Sequence, residues 1–250
     1  MIVAQRVALA AQLTNERDAV LAAITGAGDP QQATQAATEA QRRERDRWHQ
    51  VIGAIITAAF WAGGTYLVQA LRDAVSPGTL TAATSDTGTL ADAWGDGVTD
   101  HLGTMLSAVL ALGLPGDALT TAVDGLYAQW AGETGQGDYA TQVTGDMVVT
   151  GWGQGQQETM ASLLAQGTYQ AEKTWNTMGD DRVRTSHMDV DGMTVDASDS
   201  FNVGGEDLDY PGSPNGSLAE TSGCRCWLTW AAVNNITGET QDSSAPSGEE

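Results

Sequence analysis

Two regimes of apolar spacing divide the chain. Up to about Ala165 the apolar residues recur every three or four positions, the period of a helix; from Thr168 they alternate in short stretches bounded by Gly, Asp and Pro, the period of a strand. In the first regime Val3, Val7, Leu9, Leu13, Val20 and Ile24 predict an amphipathic helix that ends at Gly26 and Gly28. Asp29-Pro30 then offers an N-cap and a first-turn proline, with Gln32 at the capping-box position, so a second helix should start here and run to about Ala74. Ser76-Pro77-Gly78 breaks it, and residues 79–88 read as a Thr-rich loop. Trp94, Val98, Leu102, Met105, Leu106, Val109 and Leu112 predict a third helix, which ends at Leu114-Pro115-Gly116. Asp117 is the expected cap of a fourth, and residues 132–137 form a turn. Asp138 is the expected cap of a fifth helix, weakened by Gly151, Gly153 and Gly155.

The expected fold class is therefore α+β. Long helices fill the N-terminal two-thirds (1–167), a small α+β domain with short strands follows (168–236), and residues 237–250 form an acidic, disordered tail. A hydrophobic fraction of 41% argues for a folded chain.

Charge changes the picture more than composition does. Acidic residues number 32 against 11 basic ones, a net charge of −21, and Lys173 is the only lysine. Such a surface repels itself in dilute buffer and is screened in concentrated salt, which reads as adaptation to a halophilic host. A GC-rich genome would explain the missing lysine but not the acidic excess. The same charge argues against general nucleic-acid binding, so contact with DNA must be local. Arg42, Arg43, Arg45 and Arg47 on the second helix are the best basic patch, although Glu39, Glu44 and Asp46 lie among them at ion-pair spacing. Residues 51–71 of the same helix carry no charge and are long enough to cross a bilayer; a buried or partner-facing helix has the same signature. Residues 1–24 do not read as a signal peptide, because Glu16, Arg17 and Asp18 interrupt them.

Candidate chemistry concentrates in residues 173–230. His187, Cys224 and Cys226 have the residue types of a structural zinc site, with Asp189 or Asp191 as a fourth ligand. Two other readings of the cysteines stand beside it: a strained Cys-x-Cys disulfide, and free thiols packed in a small core. A thiol nucleophile with His187 as its base has the right residue types but no oxyanion hole or pocket legible in the sequence. His101 has no metal-ligand partner at helical spacing and reads as a packed or exposed histidine. Asp180, Asp181, Arg182 and Arg184 suggest an ion-pair network at a strand start, and Asp191-Gly192 and Tyr210-Pro211-Gly212 suggest turns.

These residues also occur in a telling order: Lys173, Trp175 and Thr177; Asp181, Arg182 and Arg184; His187; Asp191-Gly192; Phe201; Tyr210-Pro211-Gly212; and Cys224-Arg225-Cys226. In this order, over roughly the last third of the chain, the sequence resembles the C-terminal domain of the Mu F-like head morphogenesis, or minor head, proteins of tailed viruses. It departs from them at Gly223, where Asn is expected. The resemblance implies a structural virion protein with no established catalytic activity, present in a few copies near the portal. Its implied partners are the portal protein and other head or neck proteins, and its implied role is head morphogenesis and DNA packaging, retention or ejection. It would act in the virion, at the head interior or head–neck junction, and in the host cytoplasm during assembly. Trp175, Arg182 and Arg184, with the arginines of the second helix, are then the expected interaction residues. An ejected protein inserting residues 51–71 into a membrane is the alternative, and a small hydrolase or toxin-like enzyme a third.

Overall fold

Each helix forms where an apolar stripe meets a start or stop signal, but the stripes are not always the ones the apolar residues alone suggest. The computed structural model describes residues 2–71, 81–83, 86–132, 139–234 and 240–242. The expected break at Ser76-Pro77-Gly78, residues 79, 80, 84 and 85 of the expected loop, the 132–137 turn beyond Gly132, the Asp138 cap and residues 243–250 lie outside them. Helix α1 (Ile2–Thr25) buries Leu9, Gln12, Leu13, Glu16, Val20 and Ile24 at intervals of three and four, whereas Val7 is 64% exposed. Helix α2 (Pro30–Ala70) starts as expected: Asp29 Oδ1 accepts the Gln32 N–H at 2.9 Å, and the Gln32 side chain reaches back to the Gly28 N–H at 3.2 Å.

By its internal contacts the chain forms two units, Met1–Ile55 with Thr87–Thr144 and Ile56–Asp86 with Gly145–Glu250. The first is helical: α1, the first part of α2, α3 (Gly88–Leu110), α4 (Gly116–Trp130) and the start of α5 (Tyr139–Leu164). Asp117 lies inside the first turn of α4 and does not cap it; Pro115 holds the cap position with extended backbone. The core of this unit encloses a carboxylate. Glu16, 0% exposed, accepts hydrogen bonds from the Trp48 indole N–H and from the Tyr127 hydroxyl at 2.7 Å. Burial pushes its carboxyl above the ordinary range against the pull of those donors.

The second unit pairs the rest of α2 with the rest of α5 through glycines. A Cβ on Gly155 would lie 2.0 Å from the Phe60 carbonyl oxygen, one on Gly63 2.2 Å from that of Trp152, and one on Gly151 2.8 Å from that of Ile56. The helices meet backbone to backbone, and the glycines that lower helix propensity are what permits it. This packing accounts for the uncharged stretch 51–71. The stretch belongs to a helix long and apolar enough to cross a membrane, yet Ile52, Ile55, Ile56, Ala59, Phe60, Leu67 and Leu71 are buried in the fold, and Trp61 is half exposed.

Helix gives way to strand between Leu164 and Tyr169, as the change of period indicates. Strand β1 (Tyr169–Thr177) pairs antiparallel with β5 (Cys226–Asn234) along its whole length, Lys173 opposite Trp230 and Thr177 opposite Cys226. Beyond α6 (Thr185–Met188), β2 (Thr194–Asp196) adds to the other edge of β1; β3 (Phe201–Val203) and β4 (Glu206–Leu208) form a separate hairpin, followed by α7 (Leu218–Thr221). Tyr210, Pro211, Gly212 and Ser213 form the expected turn, closed by Ser213 N–H to Tyr210 O at 3.0 Å, with Gly212 at φ +75°.

Two boundaries differ from the expectation. The packing unit does not begin at 168, because the inner face of the sheet shares one core with Leu67, Leu71, Met160 and Leu163 of the helices. Within the expected disordered tail, Thr240–Asp242 forms strand β6, paired with β5 from Ala231 to Val233; a polar edge strand needs only its backbone to pair.

Candidate metal centre

Alternation along the paired strands decides which side chains meet. On β1, Tyr169, Ala171, Lys173, Trp175 and Thr177 face inward; on β5, Cys226, Leu228, Trp230 and Ala232 do. Cys226 thus lies at the inner end of β5, opposite Thr177, and Cys224 two residues earlier, after a turn in which Gly223 takes φ +63°. That left-handed conformation is one that Gly and Asn adopt more readily than other residues. Asp146 of α5 accepts the Gly223 N–H at 2.6 Å and the Ser222 hydroxyl at 3.0 Å, fixing the approach to Cys224.

Helix α6 brings His187 to the two thiols. Its Nδ1 lies 3.2 Å from Cys226 Sγ and 3.7 Å from Cys224 Sγ, and all three ligand atoms fall within 4.8 Å of one another. His187 is 1%, Cys224 8% and Cys226 7% exposed. The other ring nitrogen, Nε2, faces Glu220 Oε2 at 3.1 Å, and Glu220 is itself held by the Ser186 hydroxyl at 2.8 Å. Trp175 packs edge-on to the His187 ring with centroids 5.6 Å apart. The cysteines are free and no S–S bond joins them.

Electrostatics separate the two thiols. Hydrogen bonding from Cys226, opposed by burial and aided by His187, holds Cys224 down to about 5; Cys226 is pushed up by its bond to Cys224 and by burial. Burial works against a charged His187 ring, but the Cys224 thiolate outweighs it and raises the ring above its ordinary value. His187, Cys224 and Cys226 thus form a buried cluster of three ligand atoms that could hold a metal ion.

The remaining expected site residues are placed differently. Asp189 is exposed and Asp191 Oδ1 accepts the Thr177 N–H at 2.7 Å, so neither joins the cluster; among the described residues no fourth His, Cys, Asp or Glu does. Trp175, an expected interaction residue, is 0% exposed, because its position on β1 points into the core. Arg184 donates to the Ser222 carbonyl, and Asp180 pairs with Arg225 at 2.5 Å, so both ends of the expected Asp180–Arg184 network bond instead to residues 222 and 225. Arg182 is exposed. In the helical unit Arg42 and Arg43 pair with Glu39, Arg45 with Asp96 and Arg47 with Glu44. Arg42 and Arg45 line a polar groove of about 680 Å³ together with Asp100, whose carboxylate opposes an incoming phosphate. His101 stacks on Tyr139 at 5.1 Å.

Two residues take roles that the sequence did not indicate. Glu220 sits three residues after Ser217, a spacing that reads as a capping box, yet its carboxylate serves His187. Lys173 is 0% exposed: its Nζ donates to the Asp209 carbonyl at 2.9 Å and to Gln157 Oε1 at 3.1 Å, between the rings of Phe201 and Trp230. Burial brings its ammonium down to about 8. Compared with protein-family models, curated proteins and solved structures, the chain matches none.

Proposed function

We propose that this chain is a minor head protein of a tailed virus, associated with the portal and the head interior, whose C-terminal sheet domain is stapled by zinc at His187, Cys224 and Cys226. The observation that carries the reading is convergence. Lys173, Trp175, His187, Phe201, Tyr210, Cys224 and Cys226, scattered over 54 positions of the resemblance, are all buried in the second unit. They act as determinants of one small fold, as a structural module requires.

The donor set fits zinc. A tetrahedral ion bound by sulfur and imidazole nitrogen sets those atoms about 3.5 Å apart, and the Nδ1–Sγ distances of 3.2 and 3.7 Å bracket that value. Glu220 on Nε2 is the outer carboxylate that orients a ligating histidine. Three donors leave the fourth position of the tetrahedron to a ligand from outside this set, and the burial of all three keeps that position away from bulk solvent. Bound there, the ion would supply a cross-link between α6 and the start of β5; the chain supplies the preset ligands. The helical unit, with its exposed and largely self-paired arginines, is then the portal-binding and head-facing part, limited to local contact with packaged DNA.

Quantitative mass spectrometry of purified particles, with copy number scaled to the portal protein, tests the virion reading. The expected result is a low copy number that remains with emptied heads. Loss together with the DNA would instead make the chain an ejected protein and residues 51–71 its membrane segment. Absence from particles would contradict the virion assignment.

A further inference from the structure

Outside the metal centre, the second unit contains a cavity of about 140 Å³ whose wall includes Cys226. Val148, Val149, Trp152 and Leu228 make most of its lining apolar. Two polar groups break that pattern. Gln156 is 1% exposed, and both its amide oxygen and its amide nitrogen lack a hydrogen-bond partner; the Trp227 indole N–H is buried without one as well. A buried amide with neither end paired is costly, and native folds retain such groups where something else completes them. Gln156 and Trp227 both line this cavity, so a donor–acceptor amide and a second donor belong to its wall. Val149, Trp152 and Trp227 are only half buried and form the rim.

We propose that this cavity binds a small neutral ring bearing an amide edge, its ring against the valines, Trp152 and Leu228 and its amide paired with Gln156 and Trp227. Size agrees: an engineered apolar cavity of about 150 Å³ takes up benzene. Charge agrees too, since no ionised side chain lines the walls and a charged ligand would lose its hydration without compensation. A carboxamide on an aromatic ring and the lactam edge of a pyrimidine base share this chemistry.

The test is an NMR titration of the full-length protein, following the Gln156 side-chain amide and the Trp227 indole N–H, with benzamide, uracil and toluene as probes. Saturable shifts of both resonances are expected with an amide-bearing probe, at least tenfold tighter than with toluene; comparison of benzamide with uracil identifies the source. In Gln156→Leu the preference for the amide probe over toluene should vanish while the protein stays folded, because leucine fills the site without an unpaired amide. A Val149→Trp rim substitution should block every probe. Toluene binding as tightly as the amides, or no saturable shift with either amide up to its solubility limit, would overturn the proposal.

Discussion

Replacing Gly155 with alanine is expected to destabilise the protein by about 3 kcal/mol or more, the upper end of the cost of overpacking. In an ordinary helix the same change gains up to about 1 kcal/mol, because alanine loses less backbone entropy. Sterics decide the sign here. The new Cβ would sit 2.0 Å from the Phe60 carbonyl oxygen, and that atom is helix backbone, which cannot swing aside as a side chain would. Either α2 and α5 separate, which opens the core, or the peptide distorts. Gly145→Ala on the same helix is the internal control: nothing lies within 4 Å of its added Cβ, so about 0.5–1 kcal/mol of stabilisation is expected. Thermal unfolding in concentrated KCl measures both. Gly155→Ala should lower Tm by roughly 6–12 °C while Gly145→Ala raises it by a few degrees.

The second large effect belongs to Glu16. Glu16→Ala orphans the Trp48 indole N–H and the Tyr127 hydroxyl at a site with no solvent exposure and opens a cavity beside them. At about 1–3 kcal/mol for each unpaired donor, a loss of about 3–5 kcal/mol is expected. Glu16→Gln keeps one acceptor and should lose less. The wild-type contribution also depends on pH, with a definite sign. Because the folded carboxyl titrates above its unfolded value, its contribution is fully present below the unfolded value, near 4.3, and is lost as pH rises through the folded one. Urea unfolding across that interval should show stability falling with pH in the wild type, and a flatter profile in Glu16→Gln.

Local signals in the sequence predicted local structure well. Asp29, Pro30 and Gln32 mark the start of α2 because capping is settled within four residues, and Pro211-Gly212 marks a turn because each residue fixes its own φ. The cysteines and His187 were legible as a cluster because a Cys-x-Cys segment at a strand end leaves few places for both thiols. Residues whose role is tertiary were not. Gly151 and Gly155 read as weak points because propensity counts only their local cost, while their use lies in the approach of α2. Glu16 looked like an interruption of an apolar run, but it falls on the buried stripe of α1. Trp175 seemed available to partners until the register of β1 against β5 turned it inward, and the same register buries Lys173.

The most direct test of the central claim, that the residues carrying the resemblance build a metal-stapled domain, is the zinc content of the purified full-length protein by elemental analysis. The account predicts one zinc per chain, absent from the Cys224→Ser/Cys226→Ser double variant and weakened about 10- to 100-fold in affinity by Glu220→Gln. Protein purified without chelators that carries no stoichiometric metal would contradict it, and would leave His187 and the two cysteines as a packed core cluster.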